Sequence, residues 1–341
     1  MTTPEDSARP LPLRRPATTM RAVTRRRYGG VEQVAVEEVP CPEPAAGQVL
    51  IEVAAAGLDR AVPHLLTGTP LIARAAFGLR APRQPVLGME VCGRVVALGA
   101  GVGTVELGQR VLGVAAGSFA EYAVGSAAQF VGVPDALSDV EAATLPISAG
   151  TAFEAAVTQA QVVAGQRVLV LGASGGVGSF AVRLAAHLGA EVTAMCSSAK
   201  AAFVADLGAE VVADYRAVAV AELAGPFDAI IDIAGNRPLR ELRAVLAPRG
   251  VLVIVGGESG GRWLGGLHRN LGASLLNPVV GQRLLWFTTR QSEALHRTVA
   301  ELAATGAMRP AVDRVVGLEN AADAIGAMLR GELRGKAVIR P

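Results

Sequence analysis

The chain has 341 residues, 51% of them hydrophobic and 4% aromatic, and its 32 basic and 30 acidic residues leave a formal charge of +2. That length predicts two domain cores, and a near-neutral balance with few aromatic platforms argues against nucleic acid as a partner. No apolar run approaches the roughly 20 residues that cross a bilayer, so no membrane association is expected.

Cys41, Cys92 and Cys196 are an odd set with no C-x-x-C pair, which suggests neither a disulfide framework nor a sulfur-rich metal site and fits a reducing cytoplasm. Nearly all cations are Arg, with Lys only at Lys200 and Lys336.

Residues 1–19 carry Pro, Thr and Arg without a hydrophobic stretch, so they are expected to form a disordered extension rather than a secretion signal, despite Arg14 and Arg15. From Met20 to Leu137 short β-like runs (Val49–Val53, Val91–Leu98, Arg110–Val114) are punctuated by Gly and Pro, which predicts a mostly antiparallel β domain. After an Ala-rich, Pro-interrupted stretch at Asp139–Ala160 the pattern becomes alternating strands and helices. The strand candidates are Arg167–Leu171, Glu191–Met195, Glu210–Ala213, Asp228–Ile233 and Val251–Val255; the helix candidates between them include Val177–Leu188 and Pro238–Leu246. Continuous Val/Ile/Leu runs in β-α-β order predict a doubly wound parallel sheet covered on both faces. Short strands at Val312–Val316 and Ala337–Ile339, around a helix at Asn320–Arg330, are expected to return to the first domain. The predicted organisation is therefore a β domain from residues 20–137 and 310–341, with residues 138–309 inserted as the α/β domain.

The strongest local signal is the strand Val168–Leu171 followed at once by Gly172-Ala-Ser174-Gly175-Gly176-Val177-Gly178 and an amphipathic helix. In that context the first glycine permits the tight turn, the second lets backbone approach a pyrophosphate, and the third allows close helix–strand packing. The helix N-terminus supplies amides and a positive dipole end for the phosphates. These residues, including Ser174, Gly176 and Val177, are candidate dinucleotide contacts of a Rossmann-type half.

The second strand runs into Cys196-Ser197-Ser198-Ala-Lys200, with no carboxylate where an NAD-preferring site places one against the ribose hydroxyls. Ser197, Ser198 and Lys200 suit the 2′-phosphate of NADPH instead. The alternative is that Ser198 caps a helix and Lys200 is a solvated charge. Gly256 and Gly257, at the end of the Val251–Val255 run, join the candidate cofactor contacts.

Several further stretches, in order, are Met20-Arg-Ala-Val, Gly47-Gln-Val-Leu-Ile-Glu-Val, Leu87-Gly-Met-Glu, Phe119-Ala-Glu-Tyr122, Gly150-Thr-Ala, Asp214-Tyr215 and Gly335-Lys-Ala-Val. With the glycine loop they resemble the medium-chain dehydrogenase/reductase superfamily, in its zinc-independent, quinone oxidoreductase-like (zeta-crystallin-like) branch. The resemblance implies a GroES-like catalytic domain, a homodimer, and Thr151 and Tyr215 as further cofactor contacts. It also implies that the zinc-ligand positions of metal-dependent relatives fall at Asp59, Met89 and about Ile147. A thioether and an alkyl chain cannot replace imidazole and thiolate on zinc, so no metal is expected.

Without a Lewis acid the expected acceptor is already electrophilic, an α,β-unsaturated carbonyl or a quinone, reduced by hydride with an enolate or its equivalent as product. His64 is a candidate donor or proton relay. Asp59 is a candidate to orient His64 or touch the nicotinamide ribose, or is simply a helix cap. Trp263 and Trp286 either flank an aromatic substrate or belong to an interface or a core. A zinc-free alcohol or carbonyl dehydrogenase and a non-catalytic dinucleotide-binding protein are the competing functions.

Overall fold

The computed structural model describes residues 18–257 and 261–341. Most of the expected N-terminal extension therefore lies outside the described residues, although Thr19 already starts a strand. The strands in chain order are β1 (Thr19–Thr24), β2 (Ala35–Pro40), β3 (Gln48–Leu58), β4 (Glu90–Leu98), β5 (Arg110–Val114), β6 (Tyr122–Ser126), β7 (Phe130–Gly132), β8 (Arg167–Leu171), β9 (Glu191–Cys196), β10 (Val211–Asp214), β11 (Phe227–Asp232), β12 (Leu246–Ile254), β13 (Arg283–Trp286), β14 (Val312–Gly317) and β15 (Lys336–Arg340).

One sheet runs β14-β15-β3-β4-β5-β7, with β6 also paired to β3, and is antiparallel except for β14 with β15. The other runs β10-β9-β8-β11-β12-β13 with every pair parallel. The parallel sheet is inserted in the chain between β7 and β14, giving a Rossmann unit within a GroES-like catalytic domain. The β1–β2 pair forms a third small sheet, which β1 ties to the catalytic domain through bridges of Ala22 to Ala120 and Thr24 to Val86.

The central strand β8 shows why its sequence reads as a continuous apolar run. Val168 and Val170 pack into a cluster with Phe180, Ala181 and Leu184 of the helix Gly176–His187, while Leu169 and Leu171 pack into a separate cluster with Leu242 and Leu246. Alternate side chains leave opposite faces of a strand, and here both faces are covered by helices, so neither tolerates a polar residue. In the catalytic domain a distinct core gathers Val49, Ile51, Leu58, Val91, Phe119 and Phe130, joined from the C-terminal end by Ile325, Ala337 and Ile339.

Strand boundaries differ from those expected by one or two residues at most ends; β3 is longer, continuing to Leu58 and so delivering the chain directly to Asp59. The sequence does not single out strands β1, β2, β6, β7 and β13; of these, β13 and β6 are short and carry few β-branched residues, so their pairing is a tertiary decision. Among the described residues no helix is long and apolar enough to cross a membrane.

Candidate active site

The turn after β8 places Gly172 at φ +80°, a left-handed conformation that a side chain would strain. A Cβ on Gly178 would press into the Gly172 carbonyl oxygen and lie 2.8 Å from the Ala173 backbone, so this position needs glycine for helix–strand approach. Gly175 differs: its Cβ would meet only the Gly172 carbonyl oxygen, at 3.6 Å, leaving an open backbone face. The helix Gly176–His187 starts from extended Gly175 with no side chain capping it, so its first-turn amides remain available to an anion. These features fit a dinucleotide pyrophosphate.

The loop floors a cleft of about 410 Å³ between the two domains, within the roughly 300–1,000 Å³ of small-molecule sites. Its walls include Gly172, Ser174, Gly175, Gly176 and Val177 from the Rossmann half, and Leu58, Asp59, Arg60, Leu333 and Gly335 from the catalytic half. A larger indentation at the protein surface, lined by Ser126, Gln129 and Arg290, opens widely to solvent and is not floored by a glycine loop. The Gly335 amide donates to the Ser174 carbonyl at 2.8 Å, pinning the catalytic domain to the phosphate loop.

Ser197, Lys200 and Tyr215 line the far end of the same cleft. Lys200 is not the solvated charge of the alternative reading, because its Nζ donates to the Gly331 and Leu333 carbonyls at 2.7 and 2.6 Å. One N–H remains, beside the cleft. Ser198 caps nothing with its side chain; its amide donates to Asp214 Oδ2 at 3.1 Å, and Asp214 Oδ1 takes the Arg216 amide at 2.9 Å. Those bonds hold the Asp214 carboxyl below its ordinary pKa, the Arg216 amide contributing most. Tyr215 is exposed, with the Arg216 guanidinium 5.3 Å from its ring centroid and Arg237 donating to its carbonyl at 3.2 Å.

Other expected contacts sit elsewhere. Thr151 faces Thr289, the hydroxyls 3.3 Å apart, and does not appear among the described lining of the cleft. Gly256 and Gly257 are close-packing positions: a Cβ on Gly256 would press into the Ile233 carbonyl, and one on Gly257 would come within 2.8 Å of Gly266. The wall they support, Ile233, Ala234 and Asn236, is what reaches the cleft. His64, in the helix Ala61–Thr67, holds the Thr69 carbonyl through Nδ1 at 2.9 Å and is likewise not among the described lining residues. Trp263 is exposed, and Trp286 Nε1 donates to Ser274 Oγ at 3.0 Å.

Asp59 is buried, with 2% of its surface exposed, at the end of β3. Its Oδ1 accepts from the Ala61 amide at 2.7 Å, one residue before the N-cap position Arg60, so it is not the helix cap of the alternative reading, and Oδ2 has no partner. Beneath it lies a charged cluster that no sequence pattern singles out. Glu90 Oε1 accepts the Ile147 and Ser148 amides at 2.8 and 2.9 Å, and Oε2 accepts from Lys336 Nζ, which also donates to Ser148 Oγ at 2.8 Å. Lys336 lies directly against the phosphate loop, its Cδ 3.0 Å from where a Gly176 Cβ would stand. Burial pushes the Glu90 carboxyl up to about 7 and raises Asp59 as well, with Lys336 opposing both. One compositional signal did point here: of the only two lysines of an Arg-rich chain, Lys200 lines the cleft and Lys336 is buried behind the phosphate loop.

Of the three positions comparable to zinc ligands, two contribute backbone: the Met89 carbonyl accepts from Ala115 and the Ile147 amide donates to Glu90. No group of three or more His, Cys, Asp or Glu able to hold a metal occurs among the described residues.

A two-domain fold with an uncapped glycine-loop helix at its interdomain cleft defines a dinucleotide-binding, dehydrogenase-type protein. Comparison with known proteins agrees. Residues 45–135 match the alcohol dehydrogenase GroES-like domain and residues 207–339 match the zinc-binding dehydrogenase family, a segment that contains none of Asp59, Met89 and Ile147. A chloroplastic quinone-oxidoreductase homolog of Spinacia oleracea is 32% identical over 70% of this chain and 75% of its own. A phenolphthiocerol/phthiocerol polyketide synthase of Mycobacterium tuberculosis is 31% identical over 91% of this chain, which spans only 14% of that much longer protein. Among solved structures, the quinone oxidoreductase of Coxiella burnetii superposes with TM-score 0.81 at 25% identity, covering 95% of this chain and 99% of that one. A mycobacterial protein solved in complex with NADPH gives TM-score 0.81 at 27% identity, over 94% of this chain and 100% of its own. The chain belongs to the zinc-independent, quinone oxidoreductase-like branch of the medium-chain dehydrogenase/reductase superfamily, a family of oxidoreductases.

Proposed function

We propose that the protein transfers hydride from NADPH to a small electrophilic acceptor, an α,β-unsaturated carbonyl or a quinone, without a metal. The observation that carries this reading is the uncapped N-terminus of the helix Gly176–His187 at the floor of a cleft whose opposite wall is the catalytic domain. Gly172, Ser174, Gly175, Gly176, Val177 and Gly178 would hold the pyrophosphate through backbone amides and close approach. Ser197, Lys200 and Tyr215 would take the adenosine end. Asp214 supports the choice of NADPH, since its carboxylate is occupied by the Ser198 and Arg216 amides rather than free for ribose hydroxyls. The bound cofactor supplies the hydride; the chain orients it and stabilises the charge that develops on the acceptor oxygen. His64, as donor or relay, and Asp59, as a group that orients it or touches the nicotinamide ribose, are the candidate catalytic residues on the catalytic-domain side.

A homodimer through the β13 edge is part of the same proposal. Among the described residues that strand ends the parallel sheet with its outer edge unpaired, and near it Leu271, Leu275, Val279 and Trp286 are exposed, the combination that edge pairing between identical subunits would cover.

The test is NADPH oxidation by the full-length protein against quinones, enones, simple ketones and alcohols, before and after chelation, with the reduced carbon located by deuteride transfer. Reduction of enones or quinones alone is expected. Turnover of simple ketones or alcohols instead would favour the carbonyl dehydrogenase, and NADPH binding without transfer to any acceptor would make the protein a binding module.

A further inference from the structure

We infer that the face made by the Pro70–Arg83 loop of the catalytic domain and the helix Gly261–Leu264 of the Rossmann half docks on an anionic lipid bilayer, from which the protein draws an apolar acceptor. The docking stands on the surface itself; the acceptor rests on the hydride-transfer reading above.

Charge marks the face first. Between Asp59 and Glu90, and again between Glu258 and Glu293, the sequence has no Asp or Glu, so all 30 acidic residues of the chain lie outside these two stretches. The stretches meet in space: the turn Leu71–Ala73 packs against the helix Gly261–Leu264, and a Cβ on Gly265 would lie 3.1 Å from the Pro70 ring. Arg80, Arg83 and Arg262 are exposed on them. So are Ile72, Phe77, Leu79, Trp263 and Leu264, with Leu79 at 71% and Trp263 at 73%. Contiguous apolar surface of this kind marks an interaction site.

The loop that carries it is fixed in place. Arg25, itself buried, donates through Nε to the Leu65 carbonyl at 2.8 Å and through Nη1 to the Gln84 carbonyl at 3.0 Å, which ties down both ends. In the middle, Tyr28 Oη donates to the Gly78 carbonyl at 2.7 Å. The Arg74 guanidinium lies 4.3 Å from the Tyr28 ring centroid and donates to the Gly68 carbonyl at 2.9 Å. Phe77 and Leu79 are therefore held out in water by a braced scaffold.

Charge also selects the occupant. A second copy meeting this face across a two-fold axis would set Arg80, Arg83 and Arg262 against arginines, with no carboxylate from either stretch to pair them. An anionic bilayer matches each feature: protruding apolar side chains enter the acyl boundary, tryptophan sits at headgroup level, and arginines meet lipid phosphates. No described helix crosses a bilayer, and attachment to its surface needs none. The next helix, Leu267–Leu276, packs on β13, and its Leu271 and Leu275 belong to the subunit contact proposed above; the docking face uses neither.

The face also adjoins the cofactor cleft. Gly266, beside Gly265, stands against Gly257, and Gly256 backs Ile233 in the cleft wall. An apolar acceptor leaving the bilayer here enters beside the wall that holds the cofactor.

The test uses the full-length protein with vesicles of phosphatidylcholine alone and of an equimolar mixture with phosphatidylglycerol. Co-sedimentation with the mixed vesicles is expected, weakening as salt rises. Arg80→Gln should lower the vesicle affinity about fivefold, and Leu79→Ser should lower it as well; both residues are exposed, so folding is expected to survive. The chain has two tryptophans, so Trp286→Phe leaves Trp263 as the only reporter, and its emission should shift to the blue on the mixed vesicles. Both surface variants should reduce a water-soluble quinone as the parent does, but a long-chain quinone in mixed vesicles more slowly. No binding to mixed vesicles, binding without a Trp263 shift, or binding unchanged in both surface variants each overturns the inference. Loss of the dimer in Leu79→Ser or Arg80→Gln would make a second copy the occupant, and capture of an acidic polypeptide with no vesicle binding would make it a protein; either result overturns the bilayer. If no quinone is reduced in any form, the proposed function fails while the vesicle results still decide the docking.

Discussion

Two glycines of the phosphate loop should respond to the same substitution in opposite ways. Gly178→Ala puts a methyl group into the Gly172 carbonyl oxygen and within 2.8 Å of the Ala173 backbone, atoms of a tight turn that cannot swing aside. Overpacking of this kind costs about 1–3 kcal/mol. At roughly 2–4 °C per kcal/mol for a domain of this size, the Tm should fall by about 2–12 °C. Gly175→Ala meets its first atom at 3.6 Å, and its backbone φ of −84° suits any residue, so stability should stay within about 0.5 kcal/mol of the parent. The methyl group instead occupies the open face where the pyrophosphate would lie, so the NADPH Kd should rise at least tenfold, a loss of about 1.4 kcal/mol. Thermal melts without ligand and fluorescence titration with NADPH measure the two effects. A Gly178→Ala protein as stable as its parent, or a Gly175→Ala protein that binds NADPH unchanged, would refute the assignment of helix packing to one glycine and phosphate approach to the other.

Lys200→Ala should reduce the preference for NADPH over NADH by about tenfold or more, as expected for one charge-assisted bond worth roughly 1.5–3 kcal/mol, and should also lower Tm because it frees the Gly331 and Leu333 carbonyls; an unchanged cofactor ratio would move the 2′-phosphate elsewhere. Light scattering should give twice the 34.8 kDa chain mass, and Leu275→Arg, on an exposed position beside β13, should weaken that dimer; a monomer across micromolar concentrations would contradict the proposed edge contact. Glu90, pushed up to about 7 by burial and by Asp59, contributes stability that is complete below its unfolded value and is lost as pH rises through about 7. Urea midpoints should therefore fall over that window in the parent and fall less in Glu90→Gln, and an equal slope in both would show that Glu90 does not titrate there.

Much of this protein was legible because it is local. The Val168–Leu171 run is apolar at every position because both faces of β8 are buried, and Gly172 to Gly178 must be read within seven residues of each other, so strand, turn and helix announce themselves together. The absence of a carboxylate after β9 was equally plain, although the nearby Asp214 enters from β10 and only its amide partners explain why it does not act as the missing acid. His64 and Thr151 are polar residues in suitable stretches, yet whether such a side chain faces a cleft or a neighbouring loop depends on helix rotation, which periodicity over a single short helix does not determine.

What only the tertiary structure decided is the charge cluster. Glu90 and Lys336 are separated by 246 positions and Lys336 and Ser148 by 188, so no spacing pattern links them. They meet because β15 returns to pair with β3 while β4 flanks the same strand, stacking the ends of three strands under the phosphate loop. Glycines and apolar runs are determined by sequence because their constraints act on the backbone within a few residues. The charge state of Asp59 depends on what burial removes and on which donors arrive from elsewhere in the chain, and those exist only after the two domains have closed on each other.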